Sequence, residues 1–172
     1  MIPSLRKDGS ISFYVARDYI GDKESKYLNP PKCLVAASED VWSLDIIETS
    51  SVIICEGVFT AIAVNSALGK NIACATYGKS IAQRSSNGNA TSQGEKLLSK
   101  KFESYILFYD KDAYTATQET AMYLYDRGAN VRIVTIPEDM YGPKADAGDM
   151  KPEEIIRLIR DSEEFNRFSG IL

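Results

Sequence analysis

Ser51-Val52-Ile53-Ile54-Cys55-Glu56-Gly57 is the stretch from which the rest of the chain is read. An unbroken run of small and β-branched apolar residues describes a strand buried on both faces, as in a parallel sheet. Glu56-Gly57 ends the run abruptly, and residues 57–68 follow with Val58, Phe59, Ile62, Ala63 and Leu68 at helical spacing. The same alternation then repeats. Asn71–Ala75, Tyr105–Tyr109 and Asn130–Ile136 read as strands; Ser92–Phe102, Thr115–Arg127 (closed by Gly128) and Pro152–Ile159 read as helices. Residues 79–92 are polar and read as a long loop. Strand–helix alternation at this spacing predicts an α/β fold, a doubly wound, mostly parallel sheet flanked by helices.

The first 50 residues follow another pattern. Gly9–Arg17 alternates like a strand, Lys26–Pro31 ends in a proline break, and Ser38–Glu48 predicts a helix burying Val41, Trp42, Leu44 and Ile47. This segment reads as a small N-terminal β-containing appendage. The expected organisation is therefore 1–50 as the appendage, 51–150 as the main α/β domain and 151–172 as a C-terminal helical tail.

Composition narrows the chemistry. The 172 residues are 44% hydrophobic and 26% charged, which suits a domain with a real core and no need of covalent staples. No apolar run approaches membrane-spanning length, and Met1–Arg6 lacks the regions of a signal peptide. Three widely spaced cysteines, Cys33, Cys55 and Cys74, form neither a disulfide framework nor a zinc site, so a reducing cytoplasm is expected. The absence of histidine removes Ser-His-Asp and Cys-His catalysis and haem ligation. Carboxylates, lysine and arginine remain, with a hard metal ion. Charge is uneven: residues 36–65 hold five acids and no base, whereas 66–104 hold six bases and two acids. Such zoning suits a phosphate-gripping surface beside a metal site, and equally suits patchy solvated faces.

The acids carry more information than the net charge. Glu56 follows the first strand, Asp110 and Asp112 follow the third, and Asp146 and Asp149 lie in the loop after the fourth. In a parallel sheet these positions share the carboxyl edge, where such folds bind ligands. Carboxylates gathered there repel one another unless a divalent cation neutralises them, and Mg²⁺ or Mn²⁺ prefers such oxygen donors. Taken singly, Glu56 reads as a helix-start acid and the aspartates as ordinary turn residues; their joint placement favours a metal site. An Asp-x-Asp after a strand also opens haloacid-dehalogenase-type phosphatases, but those have Thr or Val where this chain has Tyr114.

Ile54–Phe59 and Ile106–Ala113 resemble the Glu-Gly and Asp-x-Asp motifs of the Toprim superfamily of DnaG-type primases, topoisomerases and some nucleases. Ala75-Thr76-Tyr77-Gly78-Lys79-Ser80 resembles the loop between them, and Lys144–Met150 resembles the following acidic loop. Gly9–Arg17 and Lys26-Tyr27-Leu28-Asn29-Pro30 are similar to motifs that precede this fold in primases, with a phage-like cast. One departure is Thr60, where the family often has Asp. The resemblance implies a Toprim, Rossmann-like sheet, with 1–50 corresponding to the end of the primase polymerase N-subdomain. It implies a DNA primase-type nucleotidyltransferase that makes short RNA primers on single-stranded DNA from ribonucleoside triphosphates. Glu56, Asp110 and Asp112 would be catalytic; with Asp146 they would hold Mg²⁺ or Mn²⁺. Arg17, Lys26, Tyr27, Asn29, Lys79 and Lys144 would contact nucleotide or DNA. The family's zinc-binding and helicase modules have no counterpart in these residues, so a separate zinc module or replicative helicase is an expected partner. The alternatives are a Toprim nuclease or topoisomerase-type fragment that cleaves DNA, and a non-enzymatic DNA-binding accessory subunit.

Overall fold

The computed structural model describes residues 1–17, 27–31, 34–78, 81 and 91–167. Two sheets organise them. The larger contains β4 (Ser51–Cys55), β5 (Ala73–Ala75), β6 (Ser104–Phe108), β7 (Val131–Ile133) and β8 (Glu163–Glu164) in the order β5-β4-β6-β7-β8. The first four are parallel, and β8 closes the edge antiparallel to β7. The smaller sheet is antiparallel: β1 (Ile2–Leu5), β2 (Ile11–Arg17) and β3 (Tyr27–Leu28).

The helices are α1 (Val58–Leu68), α2 (Gln93–Ser99), α3 (Tyr114–Tyr125) and α4 (Pro152–Arg160). The two-residue period of β4 divides the core between two layers. Ile53 and Cys55 face one side, packed with Val58, Ala61 and Val64 of α1, Ile155 and Leu158 of α4, and Phe13 and Val15 of β2. Val52 and Ile54 face the other, with Leu97 of α2 and Ala121 and Leu124 of α3. All four of these β4 residues are fully buried, which is why the run shows no polar alternation.

Two expectations need correcting. Ser38–Glu48 is not a helix; it forms two short 3-10 turns, Ala37–Glu39 and Leu44–Ile46, separated by Ser43 at φ 66°. Tertiary hydrogen bonds outcompete the helix there. Trp42 pairs its backbone with Ala75 in both directions, extending the main sheet, and the Gln93 amide donates to the Ala37 and Asp40 carbonyls. Val41, Leu44 and Ile47 are nonetheless buried, as expected. The segment 151–172 contains the expected helix, α4, but the chain then turns back and adds β8 rather than continuing helically. Arg132 draws it in, donating to the Ser162 hydroxyl and carbonyl.

Candidate metal centre and nucleotide cleft

Register decides what meets at the carboxyl edge. β4 and β6 pair in parallel from Ser51↔Ser104 to Cys55↔Phe108, so Glu56 falls level with Tyr109 and Asp110 follows one residue further along the same edge. The chain beyond each strand turns at once. Gly57 caps α1, accepting the Ala61 amide, and the Asp110 carbonyl accepts the Ala113 amide before α3 begins. These turns aim three carboxylates at one point. Glu56, Asp110 and Asp112 each offer an oxygen, all within 4.8 Å of one another. Glu56 Oε2 and Asp110 Oδ1 are shielded from solvent, whereas Asp112 is exposed. An all-oxygen, partly desolvated set of this charge fits a hard divalent cation such as Mg²⁺ or Mn²⁺.

Glu56 and Asp110 also line a cleft of about 310 Å³, together with Val15, Arg17, Asn29, Phe59, Thr60, Tyr77, Gly78 and Asp146. The antiparallel sheet supplies its far wall. Phe13 inserts from β2 into the main core and packs against Tyr77, the rings tilted by 46° with centroids 4.7 Å apart, and Arg17, at the strand's end, lines the cleft. Tyr77 is itself held in a left-handed conformation (φ 62°), its hydroxyl donating to buried Asp40 at 2.6 Å. Burial, then the Asp40 charge, raises the Tyr77 phenol well above its usual range. It stays a neutral hydrogen-bond donor. Burial also pushes the Cys55 thiol well up, reinforced by Cys74, Asp110 and Asp146, so this cysteine is inert packing at the edge of the site.

Asp146 enters the cleft from the loop after β7 but lies outside the three-carboxylate group. It caps a short turn, accepting the Gly148 amide, while its own amide donates to Asp149 at 3.2 Å. Asp149 is thus committed to the turn. Lys144 is exposed and lines a separate depression with Tyr141, Pro143 and Asp149. Tyr27 pairs opposite Arg17 in backbone register. Lys26 and Lys79 lie outside the described residues. A larger depression of about 670 Å³ between β7, α4 and β8 contains none of the motif residues.

Three contributors were not legible from motifs. Lys111, between the two aspartates, has a side chain only 8% exposed that donates to the Glu138 and Met140 carbonyls at 2.7 and 3.3 Å. Its backbone amide donates to the Ala145 carbonyl, so the Asp110–Asp112 turn tethers the loop that delivers Asp146. A lysine inside an acidic motif was the available signal. Gln93 donates to three carbonyls, those of Ala37, Asp40 and Thr76, and ties α2 to the floor of the cleft. Phe59 lines the cleft although the helical period assigned it to the buried face of α1.

Solved structures carry this arrangement of elements. The Aquifex aeolicus primase (zinc-binding and RNA polymerase domains) is 25% identical with a TM-score of 0.70, covering 95% of this chain and 40% of that one. A DnaG primase catalytic domain bound to single-stranded DNA is 21% identical with a TM-score of 0.67, covering 99% and 55%. The RNA polymerase domain of Mycobacterium tuberculosis DnaG is 18% identical with a TM-score of 0.66, covering 94% and 54%. The chain spans about half the length of the solved primases it matches. No protein-family model matches the sequence, and no curated protein matches it. Its fold is the α/β, Toprim-type fold of DnaG primase catalytic cores.

Proposed function

We propose that this chain is the catalytic part of a DnaG-type primase, polymerising ribonucleotides on a single-stranded DNA template. The observation that carries the reading is the convergence of Glu56, Asp110 and Asp112 within 4.8 Å at the mouth of a cleft that Arg17 and Asn29 overhang. A cation-binding carboxylate group facing cationic and amide donors suits a triphosphate. The primase bound to single-stranded DNA among the similar structures supports the choice of template.

In this reading Asp110 and Asp112 hold the cation, with Asp146 facing the same cleft. Glu56 completes the carboxylate group or receives the proton of the attacking 3′-hydroxyl. When bound, Mg²⁺ or Mn²⁺ supplies the positive charge that lets a triphosphate approach these acids and stabilises charge developing on oxygen. The oxygen–phosphorus bond forms at the α-phosphate, the bond to the β-phosphate bridge oxygen breaks, and pyrophosphate leaves. Arg17 offers a fork of donors to phosphate and Asn29 an amide. A separate zinc module or a helicase would assist template choice.

The test is incubation of the full chain with single-stranded DNA, labelled ribonucleotides and Mg²⁺ or Mn²⁺. Primer synthesis or extension supports the reading, and Glu56→Gln and Asp110→Asn should each lower it by about a hundredfold or more. Strand scission without synthesis would make it a Toprim nuclease. Binding without chemistry would make it an accessory subunit.

A further inference from the structure

Phe59 is the second residue of α1 and is 41% exposed, whereas its neighbours Val58 and Thr60 are 4% and 2% exposed. A lone exposed phenylalanine on a helix is ordinary. This one has two further properties. Its ring lines the same cleft as Glu56 and Asp110, and the Arg17 guanidinium sits over it, 5.3 Å from the centroid. The ring is therefore held from one side by a cation that itself overhangs the cleft. Phe59 lies three positions after Glu56, so their Cα atoms are at most about 11 Å apart, on the scale of one nucleotide from phosphate to base. The rest of the cleft's lining divides into polar or charged groups, Asn29, Glu56, Thr60, Asp110 and Asp146, and apolar or aromatic ones, Val15, Val58 and Tyr77. A ligand with one charged end and one flat, apolar end matches both kinds of lining.

We propose that Phe59, steadied by Arg17, is the stacking platform for a nucleobase whose phosphates lie toward the carboxylate group. The proposal rests on the primase reading and names the part of the substrate that the aromatic wall receives. Stacking is indifferent to base identity because every base offers a π-face. The platform therefore adds affinity without selecting among the four bases, as templated synthesis requires.

The experiment is calorimetric titration of the full chain, with Mn²⁺ present, using ATP, CTP, inorganic tripolyphosphate, oligothymidylate and an abasic strand of the same length. Phe59→Ala and Phe59→Leu should weaken base-bearing ligands by roughly tenfold and leave tripolyphosphate and the abasic strand unchanged. Phe59→Tyr should retain wild-type affinity. Loss confined to ATP and CTP assigns the base to the incoming nucleotide; loss confined to oligothymidylate assigns it to the template. Either supports the platform. Equal weakening of baseless and base-bearing ligands would mean that the ring merely holds Arg17, and no weakening would mean that no base rests there; both overturn the proposal. A wild-type chain that binds none of the five ligands overturns the primase reading along with it. Thermal melting of each variant should match wild type, since this ring is not in the core.

Discussion

Lys111 illustrates how one residue serves two purposes. Its amide and ammonium both donate to the 138–145 loop, and its side chain, only 8% exposed, belongs to the residue between the two aspartates in sequence. Groups one step removed from a metal commonly govern its affinity through the ligands they orient. Lys111→Met should keep the stem's packing and lose the loop's anchor. Mn²⁺ affinity, read by electron paramagnetic resonance, should fall about tenfold, and Lys111→Arg should recover part of it. Equal affinity in Lys111→Met would show that the loop stays put without this tether. Gln93 is the comparable residue on the other side of the cleft. Gln93→Leu fills the same space but strips donors from three backbone carbonyls. Urea unfolding should register a loss of about 2–6 kcal/mol, since the Asp40 and Thr76 carbonyls lose this donor at roughly 1–3 kcal/mol each, whereas the Ala37 carbonyl keeps the Asp40 amide.

At the scale of elements, helix ends carry the clearest signals. Ser92 and Glu95 make a reciprocal capping box on α2: the Ser92 amide and hydroxyl both donate to Glu95, and the Glu95 amide donates back to the hydroxyl. Ser92→Ala should cost about 1 kcal/mol, seen as a melting point lower by roughly 3 °C. The hydrogen bonds from Ser92 hold the Glu95 carboxyl below its ordinary range. Its folded value thus lies below its unfolded one, and the contribution is complete above the ordinary glutamate pKa. It disappears as pH falls through the lowered folded value. The acid limb of the stability–pH curve should accordingly flatten in Glu95→Gln. Were the two limbs superimposable, the cap would contribute nothing that titrates. Gly128, at φ 83°, closes α3 as its position past the helical pattern predicts.

For the whole molecule, the decisive contact is the insertion of β2 into the main core. Phe13 is 2% exposed and joins Ile53, Val58 and Phe108 in one cluster. Phe13→Ala should cost about 3–5 kcal/mol and also loosen Tyr77, so that nucleotide affinity falls with stability. A divalent cation that binds only the folded chain should stabilise it by about 2.7 kcal/mol at a hundred times its dissociation constant. The expected melting-point rise with Mn²⁺ should vanish on chelation and in Glu56→Gln. A rise that survives in Glu56→Gln would locate the ion elsewhere.

Much of this was readable along the chain because it depends on local periodicity. The continuous apolar run Val52–Cys55, the helical spacing after Gly57 and the acids just past successive strands suffice for a parallel α/β sheet with carboxylates on one edge. Other features depend on partners distant in sequence. Ser38–Glu48 has helical spacing but spends its backbone groups on Ala75 and Gln93. Lys144 carries the right charge in the right loop, yet lines another depression. Phe59 follows the apolar period of α1 but stands in the cleft under Arg17, because β2 packs across that end of the helix. Periodicity reports which face a residue shares with its neighbours in the chain; only the packing of one sheet against the other decides whether that face meets core, cleft or solvent.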